Sequence, residues 1–218
     1  MIKGIIFDLD GTLLSSEKDI NNSLNYVLEN NGYPIKDLET TKQNLGYGSY
    51  KLVASSLPKN TDETIINKIY LQYIDYYNKH NDILTKPYND ILTLLSKLKE
   101  MNIVIAVASN KFQSAVSNLN KTKFNNLFDI AIGESDTMPL KPNPKMLIEA
   151  TKLLNLETNN VLYVGDTEVD FLTAKNANIK SVGVTWGFRT IEQVKNENPN
   201  YIINNPLELI DIIKSVNK

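Results

Sequence analysis

The chain has 218 residues, a length that supports one sizeable core, or one core with a small satellite unit. Its 23 Lys and Arg against 25 Asp and Glu leave a formal charge of −2, so there is no basic excess to draw it to nucleic acid, and a small soluble partner fits better. The absence of cysteine removes disulfides, thiolate metal sites and a cysteine nucleophile, so other groups must carry any chemistry.

Ile5, Ile6 and Phe7 form a short continuous apolar run ended by the turn signal Asp10-Gly11, which predicts a buried strand from Lys3 to Asp8. Asp8 cuts the run before it reaches the length of a signal-peptide core. No later segment approaches the roughly 20 apolar residues of a membrane span, so a cytoplasmic protein without membrane contact is expected. From Asp19 to Asn31, Ile20, Leu24, Val27 and Leu28 recur at helical spacing, with Gly32 and Pro34 as stop signals. A second helical region covers Ser49 to Leu57 and stops at Pro58. Asn60 with Glu63 three residues on predicts the capped start of a longer helix, so the stretch from Ser16 to His80 reads as all-helical.

Beyond Pro87 the pattern alternates. Helices are predicted over Asn89–Met101, Phe112–Leu119, Pro144–Leu154, Asp170–Ala177 and Leu207–Ser215, and strands over Ile103–Ala108, Asp129–Gly133, Val161–Val164, Ser181–Val184 and Tyr201–Ile203. Such alternation implies βαβ units and an α/β fold with a parallel sheet covered on both faces. The helical block is then an insertion after the first strand, with hinges near Leu14–Glu17 and Asn81–Lys86.

In open α/β sheets, ligands bind beyond the carboxyl ends of the strands. Four polar clusters are placed there: Asp8-Leu9-Asp10-Gly11-Thr12, Ser109-Asn110, Lys141-Pro142, and Gly165-Asp166-Thr167 with Asp170 a helical turn later. Their chemistry is coherent for a phosphate ester. Asp8 is the candidate nucleophile, forming an aspartyl-phosphate, and Asp10 the acid that protonates the departing alcohol and then activates water. Attack of one anion on another calls for a hard divalent cation, and Mg²⁺ suits oxygen ligands from Asp8, the Asp10 backbone carbonyl and Asp166, with Asp170 in support. Lys141 would neutralise the transferred phosphoryl group, and Ser109, the Asn110 N–H, Gly11 and Thr12 would hold its oxygens. Each cluster has a structural reading of its own as turn, helix start or solvated loop, but four in order at element ends outweigh that reading.

These four clusters, with the string Ile5-Ile6-Phe7-Asp8-Leu9-Asp10-Gly11-Thr12-Leu13 and the run Gly165-Asp166-Thr167-Glu168-Val169-Asp170, resemble the motifs of the haloacid dehalogenase-like hydrolase superfamily. The resemblance implies a Rossmann-like parallel-sheet core over 1–15 and 87–218, an inserted all-helical cap domain over 16–86, and Mg²⁺ dependence. An acidic residue at Asp10 is absent from the dehalogenase branch and argues for phosphate over halide, while Thr12 tilts toward hydrolase over phosphosugar mutase. Gly46-Tyr47-Gly48-Ser49 and Val184-Thr185-Trp186-Gly187-Phe188-Arg189 are similar to segments of phosphoglycolate phosphatases and related pyrophosphatases. The implied function is a metabolite phosphatase, with 2-phosphoglycolate as best guess, working as a monomer or homodimer. A phosphosugar mutase, a pyrophosphatase and a non-catalytic sensor of a phosphorylated ligand are the alternatives.

Outside the motifs, Arg189 is a candidate partner for a substrate carboxylate or second phosphate, against a plain surface arginine. Gly46 and Gly48 would admit a backbone close to substrate or simply serve as helix-end glycines. Tyr70, Tyr73 and Tyr77 read as a packed helix face, His80 as a surface residue, and Trp186 as core packing near the mouth of the cleft.

Overall fold

The computed structural model describes residues 1–218. The apolar run near the start forms β1 (Gly4–Phe7), a strand buried along its whole length. Its side chains divide between two faces, as strand geometry requires: Ile5 and Phe7 join one apolar cluster and Ile6 another. The chain then crosses β2 (Leu14–Ser15) and enters four helices, α1 (Glu17–Asn30), α2 (Leu38–Gln43), α3 (Ser49–Ser56) and α4 (Glu63–His80), before returning through β3 (Lys86–Pro87). From there α5 (Ile91–Glu100), β4 (Val104–Phe112), α6 (Gln113–Phe124), β5 (Ile130–Glu134), α7 (Lys145–Leu153) and β6 (Val161–Gly165) alternate. The chain finishes with α8 (Glu168–Asn176), β7 (Lys180–Val184), α9 (Ile191–Asn196), β8 (Tyr201–Ile203) and α10 (Glu208–Val216).

The main sheet has six strands in the order β5-β4-β1-β6-β7-β8, and every pairing in it is parallel. From β1 the chain moves out to β4 and β5, then crosses back to β6 and moves the other way to β7 and β8. The carboxyl ends of β1 and β6 therefore flank the switch point, where the connections diverge and leave a crevice. Asp8 follows β1 and Asp166 follows β6. The predicted α/β architecture is the one observed.

Helices α1, α3 and α4 pack on one another around a separate cluster of 12 buried residues, including Leu24, Leu28, Leu52, Val53, Tyr73 and Tyr77. The two chain crossings into this block, read from sequence as hinges, pair as a short antiparallel ribbon, with Leu14 opposite Pro87 and Ser15 opposite Lys86. Asp19, buried near the start of α1, accepts hydrogen bonds from Leu84 N (2.9 Å) and from Thr85 N and Oγ1 (both 2.8 Å), pinning the return crossing to the helix.

Several local expectations change. Asp62, not Asn60, caps α4, its carboxylate accepting from Thr64 N at 2.8 Å, because the helix begins at Glu63 and only Asp62 stands immediately before it. α2 and α9 are additions of six residues each, too short for a periodic signal to separate them from loop. β4 runs on to Phe112, with a register shift against β5 between Ala108 and Phe112. That irregularity contains Ser109, Asn110 and Lys111, and a break in register re-aims side chains at a strand end.

Candidate active site

At the switch point, Lys141 is the hub of a buried polar cluster. Its Nζ donates to Asp8 Oδ1 (2.7 Å), Asp170 Oδ1 (2.7 Å) and Tyr163 Oη (2.9 Å), which uses all three donors of the ammonium group. Tyr163, buried in β6, donates a hydrogen bond from its own hydroxyl to Asp170 Oδ1 at 2.8 Å. The other Asp170 oxygen accepts from Thr167 N (3.0 Å) and Thr167 Oγ1 (2.8 Å), closing the capping box that starts α8. Asp170 thus accepts four hydrogen bonds, one of them from Lys141.

Asp166 is fully buried, its carboxylate held by Thr12 Oγ1 (3.1 Å) and Phe188 N (2.7 Å). Gly11 is required beside it. Its φ of +85° lies in the left-handed region, and a Cβ there would fall 2.4 Å from Asp166 Oδ2. Gly11 N is committed to Leu14 O at 2.8 Å. These bonds correct the phosphate-binding expectation for two residues: the Thr12 hydroxyl and the Gly11 N–H shape the turn and Asp166, and are not free to hold phosphoryl oxygens.

Carboxylate oxygens of Asp8, Asp166 and Asp170 lie within 4.8 Å of one another, all buried. With Asp10, four carboxylates here face two ammonium groups, Lys141 and Lys111. Burial pushes the Asp8 carboxyl up to about 7, against the opposing pull of Lys141, and drives Asp166 well above the usual carboxylate range with the help of Asp170 and Asp8. Asp170 goes the other way: burial raises it, but Lys141, Thr167 and Tyr163 together outweigh burial and hold it low. Burial alone would lower Lys141, yet Asp170 and Asp8 raise it above its ordinary value, so it stays charged. An excess of buried negative charge on hard oxygen donors is the environment that a divalent cation fits.

The expected metal set takes side chains from Asp8 and Asp166 and the backbone carbonyl from Asp10. The Asp10 carboxylate turns away from the cluster to Lys111, whose Nζ donates to Oδ1 (3.0 Å) and Oδ2 (2.8 Å), so Asp10 has only its backbone carbonyl to offer a cation. Lys111 is buried and also donates to the hydroxyl of Tyr77 on α4. The four motif clusters did not include this lysine. Its only sequence signal was adjacency to Ser109-Asn110.

A cavity of about 50 Å³ opens over this cluster. The sheet supplies Asp8, Asp10, Ser109, Asn110, Lys111 and Lys141, and the helical block supplies Leu45, Gly46, Ser49, Leu52, Tyr73 and Tyr77. Asn110 stitches its floor to its roof, with Nδ2 donating to Gly46 O (2.9 Å) and Lys141 O (3.0 Å) and Oδ1 accepting from Lys141 N (2.7 Å). Gly46, at φ +106°, and Gly48, which also stands immediately before α3 as a helix-end glycine, both line the cavity. Tyr73 and Tyr77 belong both to the packed face and to the cavity wall, whereas Tyr70 packs against Tyr50 and Phe112. His80 is half-buried, stacked on Tyr76 with its Nδ1 2.7 Å from Tyr76 O, and Trp186 donates to Thr12 O at 3.0 Å.

Arg189 is not a surface residue and does not line the cavity. It is 8% exposed, and its guanidinium pairs with both carboxylate oxygens of Glu168 (2.7 and 2.8 Å) and donates to Lys42 O and Leu45 O (both 3.0 Å). These four bonds join the loop before α9 to α8 and to the end of α2.

Residues 5–184 match the family model of haloacid dehalogenase-like hydrolases. The chain is 32% identical over 98% of its length to a candidate pyrophosphatase PpaX of Caldanaerobacter subterraneus subsp. tengcongensis, covering 95% of that protein. It is 29% identical over 96% of its length to a phosphoglycolate phosphatase of Neisseria meningitidis serogroup A, covering 93% of it. A solved structure of a candidate phosphoglycolate phosphatase from Lactobacillus delbrueckii subsp. bulgaricus superposes with a TM-score of 0.92 at 30% identity, covering 97% of this chain and 98% of the other.

Proposed function

This chain belongs to the haloacid dehalogenase-like hydrolase family and is a phosphatase, and within that class we propose that it hydrolyses a small phosphorylated metabolite through an aspartyl-phosphate on Asp8. The observation that carries this reading is the placement of Asp8 at the switch point, 2.7 Å from a lysine that is itself anchored on Asp170. The Asp8 carboxylate attacks phosphorus and Asp10 protonates the leaving oxygen. In the second half Asp10 takes a proton from the water that releases phosphate. Lys141 acts as a fixed positive charge beside the nucleophile, and Ser109 and the Asn110 N–H would receive phosphoryl oxygens.

The residues that would hold the cation are Asp8, Asp166 and the Asp10 carbonyl, and their all-oxygen character favours Mg²⁺. When bound, Mg²⁺ would supply the charge that lets a carboxylate approach a phosphate ester. The helical block over 16–86 acts as a cap on the core of 1–15 and 87–218, roofing the cavity and excluding water from the reaction. The cavity's walls come from both the sheet and the helical block, which supports a small substrate held between them. 2-Phosphoglycolate is the leading substrate. Pyrophosphate is the second reading, favoured by the 32% identity to the PpaX protein. The protein works in the cytoplasm on soluble substrate, as a monomer or homodimer, without nucleic acid.

The test is phosphate release with Mg²⁺ across a metabolite panel containing both compounds, with Asp8→Asn as the matched control. One substrate well above the rest and a folded, inactive variant are expected. Equal activity of the parent and Asp8→Asn would refute the mechanism, and an isomerised product without free phosphate would transfer the reading to a mutase.

A further inference from the structure

Lys111 is 5% exposed, and an ammonium group buried at the edge of a cluster of carboxylates calls for an explanation. It is not a spare cation awaiting a substrate anion. An ammonium has three N–H donors, and two bonds to Asp10 with one to Tyr77 engage all of them. The ammonium also lies 4.6 Å from the centroid of the Tyr77 ring, so the phenol both accepts a bond from it and screens it from solvent. Asp10, by contrast, stands on a turn rather than in a strand, and both hydrogen bonds that its carboxylate accepts come from Lys111. Tyr77 belongs to α4, in the helical block, while Asp10 and Lys111 belong to the sheet side.

We propose that Lys111 is a positioning residue: braced by Tyr77 across the junction, it sets the Asp10 carboxylate where it can reach the leaving oxygen, so that the acid/base group is placed when the helical block lies on the sheet. This rests on the acid/base reading of Asp10. In the first half-reaction the Asp8–phosphorus bond forms, the ester P–O bond breaks with its electron pair on the departing oxygen, and that oxygen takes the Asp10 proton. In the second half, water oxygen bonds to phosphorus and its proton goes to Asp10. The Asp8–phosphorus bond breaks with its pair returning to Asp8, and inorganic phosphate leaves. A misplaced Asp10 hurts most where the leaving group needs its proton.

The experiment compares kcat/KM for p-nitrophenyl phosphate, whose leaving group departs without a proton, with that for the alkyl phosphate the unmodified enzyme turns over fastest. Lys111→Met is expected to cost at least about tenfold more on the alkyl than on the aryl ester, inside the range of about 10²–10⁴ spanned by general acid–base catalysis. Lys111→Arg should recover part of the loss, and Tyr77→Phe should show the same bias more weakly. Asp10→Asn should show the bias in full, and the double variant Asp10→Asn with Lys111→Met should lose no more than Asp10→Asn alone, as for residues acting as one unit. Retained aryl phosphate turnover reports a folded site. Equal losses on both esters in Lys111→Met, or multiplicative losses in the double variant, would overturn the proposal while the acid/base reading stands. Loss of the bias in Asp10→Asn itself would overturn both.

Discussion

Replacing Arg189 by Ala separates a structural arginine from a substrate-binding one. The side chain is stacked with partners on two units: Glu168 on α8 at 2.7 and 2.8 Å, and the carbonyls of Lys42 and Leu45, which close α2, at 3.0 Å each. Truncation leaves both carbonyls without their charged donor, at about 1 kcal/mol each. It also strands Glu168, whose side chain is 30% exposed, so the cost is below that of a fully buried pair, about 2 kcal/mol instead of 3–5. The sum is about 4 kcal/mol, and at about 2–4 °C per kcal/mol for a chain of this size the melting temperature should fall by about 10 °C. Thermal melts followed by circular dichroism check the stability, and KM for the best substrate, measured well below the melting range, checks the site. A melting temperature within about 2 °C of the parent, together with a KM raised tenfold or more, would refute the staple and restore Arg189 to the substrate.

Gly11→Ala forces a side chain into a left-handed position and onto Asp166 Oδ2, so the Mg²⁺ concentration for half-maximal activity should rise about tenfold or more, and an unchanged Mg²⁺ titration would contradict the placement of Asp166. Asp19→Asn leaves one amide oxygen to serve donors from Leu84 and Thr85 now met by two oxygens, and should cost about 2–3 kcal/mol in urea unfolding; a loss under about 0.5 kcal/mol would show that the crossing is held elsewhere. Because burial raises Asp8 from 3.8 to about 7, the metal-free folded chain keeps a proton that the unfolded chain has released. That contribution to stability is complete below about 3.8 and is lost as the pH climbs through about 7. Mg²⁺ competes with the same proton, so its stabilising effect on melting should grow between about pH 5 and pH 8, and chelation should abolish turnover. An Mg²⁺ effect independent of pH would sink this reading.

Much of the site was readable because its signals are local. The run Ile5-Ile6-Phe7 before Asp8 marks a strand buried on both faces, and a helix was expected to begin at Asp170, two residues after the observed start at Glu168. Asp166 could be placed after a strand for the same reason. α2 and α9, at six residues each, and β2 and β3, at two, offer too little chain for a period to register. The capping residue of α4 was misplaced by two positions because Asn60 and Asp62 both satisfy the local rule, and only the path of the chain selects between them.

What the amino-acid sequence determined by itself is therefore the order of strands and helices, the insertion after the first strand, and the set of carboxylates and lysine that meet at the strand ends. Which side chains spend their charge on one another was decided by the tertiary structure alone. Lys111 finds Asp10 101 residues away, Thr12 finds Asp166 at 154, Asp19 finds Thr85 at 66, and Arg189 finds Leu45 at 144. Period, turn and cap are properties of neighbouring residues and survive in the linear chain. The partner of a buried charge depends on which segments the sheet and the helical block bring together once water is excluded, and no local pattern carries that information.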